Sequence, residues 1–175
     1  MENSLFHKLE IEAYRKGLRA RSVEARRWFR GKTKELGGTN RRALLRDPAL
    51  ERKKRPTPGD MYMYFYDDKH KETLPYYDKF PLTIPVGPAP GGFYGLNLHY
   101  LPLPLRAKAL DALLGEGGLP QKYIAPMIHR YLFTQVRSRF ALVDKPEWEI
   151  ATFLPTADFQ GANKSKVYKD SRSKM

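Results

Sequence analysis

Six consecutive residues, Met61-Tyr62-Met63-Tyr64-Phe65-Tyr66, are large and apolar or aromatic at every position. Successive side chains of a strand point to opposite faces, so such a run is expected only in a strand covered on both faces. It therefore sets the start of a folded body at Gly59. Asp67 to His70 is a turn candidate. Leu82–Val86, hemmed by Pro81 and Pro85, reads as a second short strand, and the proline- and glycine-rich stretch from Gly87 to Gly92 as a turn. Phe93–Leu101 gives a third strand, with Leu96, Leu98 and Tyr100 on one face and Asn97 and His99 on the other.

Pro102 and Pro104 end that strand and introduce a helix over Leu105–Leu114, with Gly115 as its C-cap. A second helix is expected from Pro126 to Phe140, burying Ile128, Tyr131, Leu132 and Val136. Glu147–Leu154 alternates and reads as a last strand, with Trp148, Ile150 and Thr152 on one side. The order gives an α+β class: a small, strongly bent antiparallel sheet or an SH3-like barrel with helices inserted before the last strand. No internal repeat is visible.

Charge divides the chain differently. Residues 1–58 hold 17 Lys/Arg against 7 Asp/Glu, residues 59–160 hold 10 against 11, and residues 161–175 hold 5 against 1. The organisation expected is a basic, partly helical N-terminal arm and linker (1–58), a near-neutral body (59–160) and a basic tail (161–175). In the arm, Ser4 caps a helix with Phe6, Leu9 and Ala13 on its apolar stripe. Gly17 weakens that helix, and Ser22 caps a second one carrying Val23, Ala25, Trp28 and Phe29. Gly37–Asn40 breaks the pattern, Arg41–Leu45 forms a short turn of helix, and Arg52 to Pro58 reads as an extended linker. The tail is small, polar and basic, as expected of a segment ordered only by a partner.

The chain has 41% hydrophobic residues and no cysteine, which excludes disulfides, thiolate nucleophiles and cysteine-based zinc sites. No apolar run approaches the roughly 20 residues of a membrane span, and the N-terminus lacks a secretory h-region. A soluble protein made in a cytoplasm is expected, with no membrane partner and no small-molecule cofactor.

Charge segregation speaks to partners, here a polyanion or an acidic protein surface. The residues expected to make that contact are Arg15, Arg19, Arg26, Arg27, Trp28, Arg30 and Lys32, with Lys34 beside them, then Arg52, Lys53, Lys54 and Arg55, and Lys164 and Lys166 in the tail. Their cations neutralise phosphates, and an interleaved ring stacks on a base or anchors to protein. The rival reading buries Trp28 and Phe29 and leaves the charges in water. Within Leu74–Leu82, Tyr76, Tyr77 and Phe80 form a candidate docking ridge for protein, or else plug the sheet. Asp78 is placed to accept hydrogen bonds from turn amides.

No catalytic constellation stands out. His7, His70, His99 and His129 show no metal-ligand spacing, and no phosphate loop surrounds Gly91-Gly92. His99 with Asp78 or Arg106 would serve a small-barrel nuclease; a strand histidine hydrogen-bonded to a loop explains it more simply.

Three strings carry a family likeness: Asp67–Leu82, Gly92–Pro102 and Glu147–Pro155. Together they resemble small virion or packaging-associated proteins of T4-type contractile-tailed phages, some of them described as DNA end protectors. The likeness covers about residues 60–170 and leaves out the basic N-terminal segment. It implies a phage structural or DNA-associated protein, without a mechanism. Taken with the charge segregation, which alone speaks for the N-terminal segment, the reading is a non-enzymatic, virion-associated protein whose basic arms contact double-stranded DNA or neighbouring virion subunits during assembly or genome packaging. A neck, tail or baseplate adaptor contacting protein alone is the alternative.

Overall fold

In the computed structural model, residues 4–35, 41–115 and 117–175 are described, the side chains of 33–35 excepted. The break expected at Gly37–Asn40 and the side chain of Lys34 lie outside them. The chain opens with α1 (Leu5–Arg15), α2 (Val23–Glu35) and α3 (Arg41–Leu45). The strands β1 (Arg52–Lys53), β2 (Met61–Met63), β3 (Tyr77–Asp78), β4 (Leu82–Ala89) and β5 (Gly92–Asn97) follow. Then come α4 (Leu103–Leu114), α5 (Gln121–Met127), β6 (Ile128–Leu132), β7 (Phe140–Val143), α6 (Trp148–Phe153), β8 (Phe159–Gln160) and α7 (Lys164–Ser173).

Six strands form one antiparallel sheet in the order β1-β7-β2-β4-β5-β6, and β3 pairs with β8 apart from it. β1 and β6 are both edges, so the expected antiparallel sheet is present but does not close into a barrel. β2 behaves as its composition requires. Met61 and Met63 face the main core beneath the helices, while Tyr62, Tyr64 and Tyr66 enter a second, aromatic cluster on the opposite face. There Tyr64 is ringed by Phe93, Tyr131 and Phe140 at centroid separations of 6.2, 5.8 and 4.8 Å. The β4–β5 hairpin turns at Gly91, whose φ of 71° suits glycine. At Gly92 a Cβ would sit 1.7 Å from the Tyr131 carbonyl, so glycine is what lets β5 approach β6.

The N-terminal segment is not an extension. Ser4 caps α1 by accepting from the His7 N–H, and Ser22 accepts from the Ala25 N–H at the start of α2. Both apolar stripes are spent on the main core: Phe6, Leu9, Ala13, Ala25 and Phe29 are buried. The linker expected at Arg52–Pro58 begins instead as edge strand β1, paired to β7. The tail is also folded. Asn163 caps α7, and Val167 and Ser171, one turn apart, are its buried residues.

Three further expectations are corrected. The strand expected over Phe93–Leu101 ends at Asn97, whose side chain accepts from the His99 N–H and turns Leu98–Tyr100 into a single 3-10 turn. Glu147–Leu154 is helical (α6) rather than a strand, and every residue of α6 is buried because α1, α2 and α4 all pack on it. Pro126–Phe140 is not one helix, because α5 ends at Met127 and Ile128–Leu132 pairs with β5 as β6. The helix over Leu105–Leu114 stands, as α4 with Gly115 at its C-cap. Among the described residues no helix is long and apolar enough to cross a membrane.

Candidate nucleic-acid interface

α2 presents two different faces. Ala25, Arg26 and Phe29 turn inward, and Arg27 and Arg30, three residues apart, turn out on one side. The outward pair forms one wall of a cleft of about 630 Å³, completed by Arg106 from α4, Phe153, and Lys164 and Tyr168 from α7. Among the described residues lining it there is no carboxylate.

Arg106 is the unusual member. It is 2% exposed, and its guanidinium donates to the carbonyls of Leu101 (3.2 Å), Thr152 (2.9 Å) and His99 (3.1 Å) and to the Tyr168 hydroxyl (3.2 Å). All four acceptors are neutral. Each guanidinium nitrogen has an acceptor, but the charge is not balanced in contact. Burial lowers the Arg106 pKa from its ordinary value, and Arg30 adds to that effect. Lys164 is lowered as well, by burial first and then by the cations Arg106 and Arg41. Two helices also begin here: Leu103 and Lys164, the first residues of α4 and α7, line the cleft. No side chain caps α4, so its N-terminal amides add positive potential to that of the side chains.

The segment Pro155–Asp158 separates this cleft from a second, of about 700 Å³, where Arg41, Arg42, Lys71, Lys79 and Arg137 face Asp67 and Asp158. Arg41 clamps the separator by donating to the Thr156 and Ala157 carbonyls at 2.7 and 2.6 Å. The separator is also held from below. Buried Asp78 accepts from the amides of Phe80 and Asp158, from Asn97, and from His99 Nδ1 at 2.7 Å, while His99 Nε2 meets Thr156 Oγ1 at 3.0 Å. Burial alone would raise the Asp78 carboxyl, but these partners hold it below the ordinary value. Burial holds His99 low, so the pair is carboxylate and neutral imidazole. His99 is 0% exposed; it is a positioning residue for the loop, not a base facing a substrate.

The other sequence-derived residues disperse. Arg26 is buried and bound to Glu149 (3.1 Å) and Asp111 (2.8 Å). Trp28 is half-buried beside Phe29, with Lys32 over its ring and bonded to Glu12 at 2.8 Å. Arg15, Arg19 and Lys54 are exposed and Lys53 is half-buried. Arg52 donates to the Leu45 carbonyl, and Arg55 stacks 3.8 Å over Phe133. Lys166 pairs with Asp170 within α7. Of the docking candidates, Phe80 is fully buried against Phe65 and offers no surface. Tyr76 is tied to Asp170 of α7, and Tyr77 lines the second cleft. The cleft-lining cations that sequence reading did not assign to such a contact are Arg106, named there only beside His99, and Arg41, Arg42, Lys79 and Arg137. Arg106 had a signal: it shares the inward stripe of α4 with Ala109 and Leu110. As to metals, His7, Glu10 and Glu147 bring ligand atoms within 4.8 Å of one another, and none of the three lines either basic cleft.

A family model, described as phage T4 terminal DNA protecting protein, matches residues 6–123. The chain belongs to that family. Its match extends the likeness to the basic N-terminal helices and ends before α7. Arg27, Arg30, Arg41, Arg42 and Arg106 therefore lie within the matched span, and Lys164 lies beyond it. The family is named for protecting DNA, not for catalysis. No curated protein and no solved structure matches the chain.

Proposed function

We propose that this protein binds the termini of phage double-stranded DNA and shields them, seating backbone phosphates in the cleft floored by Arg106. The observation that carries this reading is a buried guanidinium with only neutral acceptors, opening on three further cations in a lining whose described residues include no carboxylate. A positive field of that kind is complementary to an anion that arrives from outside. Phosphates bound there release counterions, which supplies affinity without base specificity. The second basic cleft extends the track across the Pro155–Asp158 separator. The family name supplies the terminus as the target, and association with the packaged genome in the virion follows from it. The contact surface is a folded one, formed by α2, α4 and α7, rather than a pair of threading arms.

The test is fluorescence anisotropy with a short duplex bearing free ends and with the same duplex closed by hairpin loops at both ends. Tighter binding to the open duplex, weakening steeply as salt rises, is expected. Equal affinity for the two, or a salt-independent affinity, would overturn the reading.

A further inference from the structure

Beside the second basic cleft lies a smaller pocket of different chemistry. Its volume is about 340 Å³, within the usual range of small-ligand sites, and Tyr66, Tyr77, Tyr100 and Tyr131 form its walls with Leu74 and His129. Tyr66 and Tyr77 line both cavities, so the two share a wall. Their charges are opposed. The cleft sets five cations against two carboxylates, whereas Asp68 and Asp78 face one arginine, Arg130, in the pocket. A phosphate is favoured in the first and disfavoured in the second; an aromatic ring suits the second.

The pocket also contains a group that lacks a partner. His129 Nε2 is the one buried side-chain nitrogen or oxygen left without a hydrogen bond among the described residues. The ring lies 4.1 Å from Tyr100, and burial keeps it a neutral imidazole. With its proton on Nδ1, Nε2 is an acceptor waiting for a donor. Asp68 adds a second acceptor on the same pocket.

We propose that this pocket receives an unpaired terminal nucleobase, stacked on Tyr77 with its exocyclic amine facing Asp68 and His129, while the flanking phosphates lie among Arg41, Arg42 and Lys79. The proposal rests on the DNA-terminus reading and supplies what phosphate contacts cannot, a reason to prefer an end. A base at an end leaves its stack at little cost, whereas an internal base must first be flipped from the duplex.

The experiment uses the full chain and three duplexes, each closed by a hairpin at one end and carrying a single-nucleotide overhang at the other: adenine, thymine or an abasic sugar. Overhangs of both polarities are made. Adenine should bind about tenfold more tightly than the abasic sugar, the scale of one base stacked on an aromatic ring, with thymine, which lacks the amine, between them. Tyr77→Ala should erase the difference and Tyr77→Phe preserve it. Equal affinity for adenine and abasic ends, with binding otherwise intact, would overturn the pocket while leaving the phosphate cleft standing. Equal affinity for adenine and thymine would overturn the amine contact. Failure to bind any of the three would overturn the DNA-terminus reading and the pocket with it.

Discussion

Arg26 and Arg106 are both buried in the helical layer, and their surroundings differ in one respect. Arg26, where α2 meets α4 and α6, is held by the carboxylates of Asp111 and Glu149. Arg106, on the floor of the cleft, is held by three carbonyls and a phenol. The first region is electrostatically closed and fastens helices together. The second is geometrically satisfied but electrically open, and its field is directed to whatever enters the cleft. Burial alone therefore does not distinguish the two arginines; the charge of their acceptors does.

The largest expected effect breaks the closed region. Arg26→Met leaves Glu149 buried without its cation, and urea unfolding should show a loss of about 3 kcal/mol. The double variant Arg26→Met, Glu149→Met should recover most of it, and DNA affinity of the folded protein should not change. Next, Arg106→Met strands the three carbonyls, for a loss of about 2 kcal/mol. Unlike Arg26→Met, it should also weaken binding to duplex ends, by tenfold or more in anisotropy titrations. If the two variants weaken DNA binding equally, the distinction between the regions fails.

Acid acts on neither arginine and so tests the buried histidines instead. Burial holds His99 low and pushes His129 down to about 4, with Lys174 assisting at His129. Between about pH 6.5 and 4 the unfolded chain takes up protons that the folded chain refuses. Stability should therefore fall as pH drops through that window, by up to about 1.4 kcal/mol per unit for His129, with His99 acting in the same direction. Below it, protonation of Asp78, whose pKa is depressed, should cost more. Unfolding curves for His129→Phe should be flatter over the same range. The smallest effect on stability belongs to the rim of the open region. Arg27→Ala with Lys164→Ala should change unfolding by no more than about 0.5 kcal/mol per site. The plot of log affinity against log salt should nevertheless become shallower by about 0.9 for each phosphate that is no longer neutralised.

Much of the fold could be read directly from local pattern. Ser4 and Ser22 cap where their spacing from an apolar stripe says, and α3 occupies the expected residues. Met61–Met63 has both faces buried, as its continuous apolar run demands. The failures have equally specific causes. Glu147 and Glu149 alternate with Trp148 and Ile150 like the wet face of a strand, yet Glu149 is buried, because Arg26 neutralises it across 123 residues. Ile128, Tyr131 and Leu132 fit a helical stripe, but β5 offers an open edge, and sheet pairing wins. α7 has only Val167 and Ser171 to bury, too little apolar signal to distinguish a helix from a tail.

For the site, the sequence by itself determined that cations would be plentiful in residues 1–58 and in the tail, and that Phe6, Leu9 and Ala13 of α1 and Ala25 and Phe29 of α2 would be buried. It could not determine which cations would converge, because their charges are interchangeable along the chain and their partners are distant. Only the tertiary structure spent Arg26 on carboxylates, gathered Arg27, Arg30 and Lys164 around Arg106, and placed no acid among the described residues lining that cleft. Local structure follows short-range periodicity, whereas an electrostatic field depends on distances that exist only once the chain has folded.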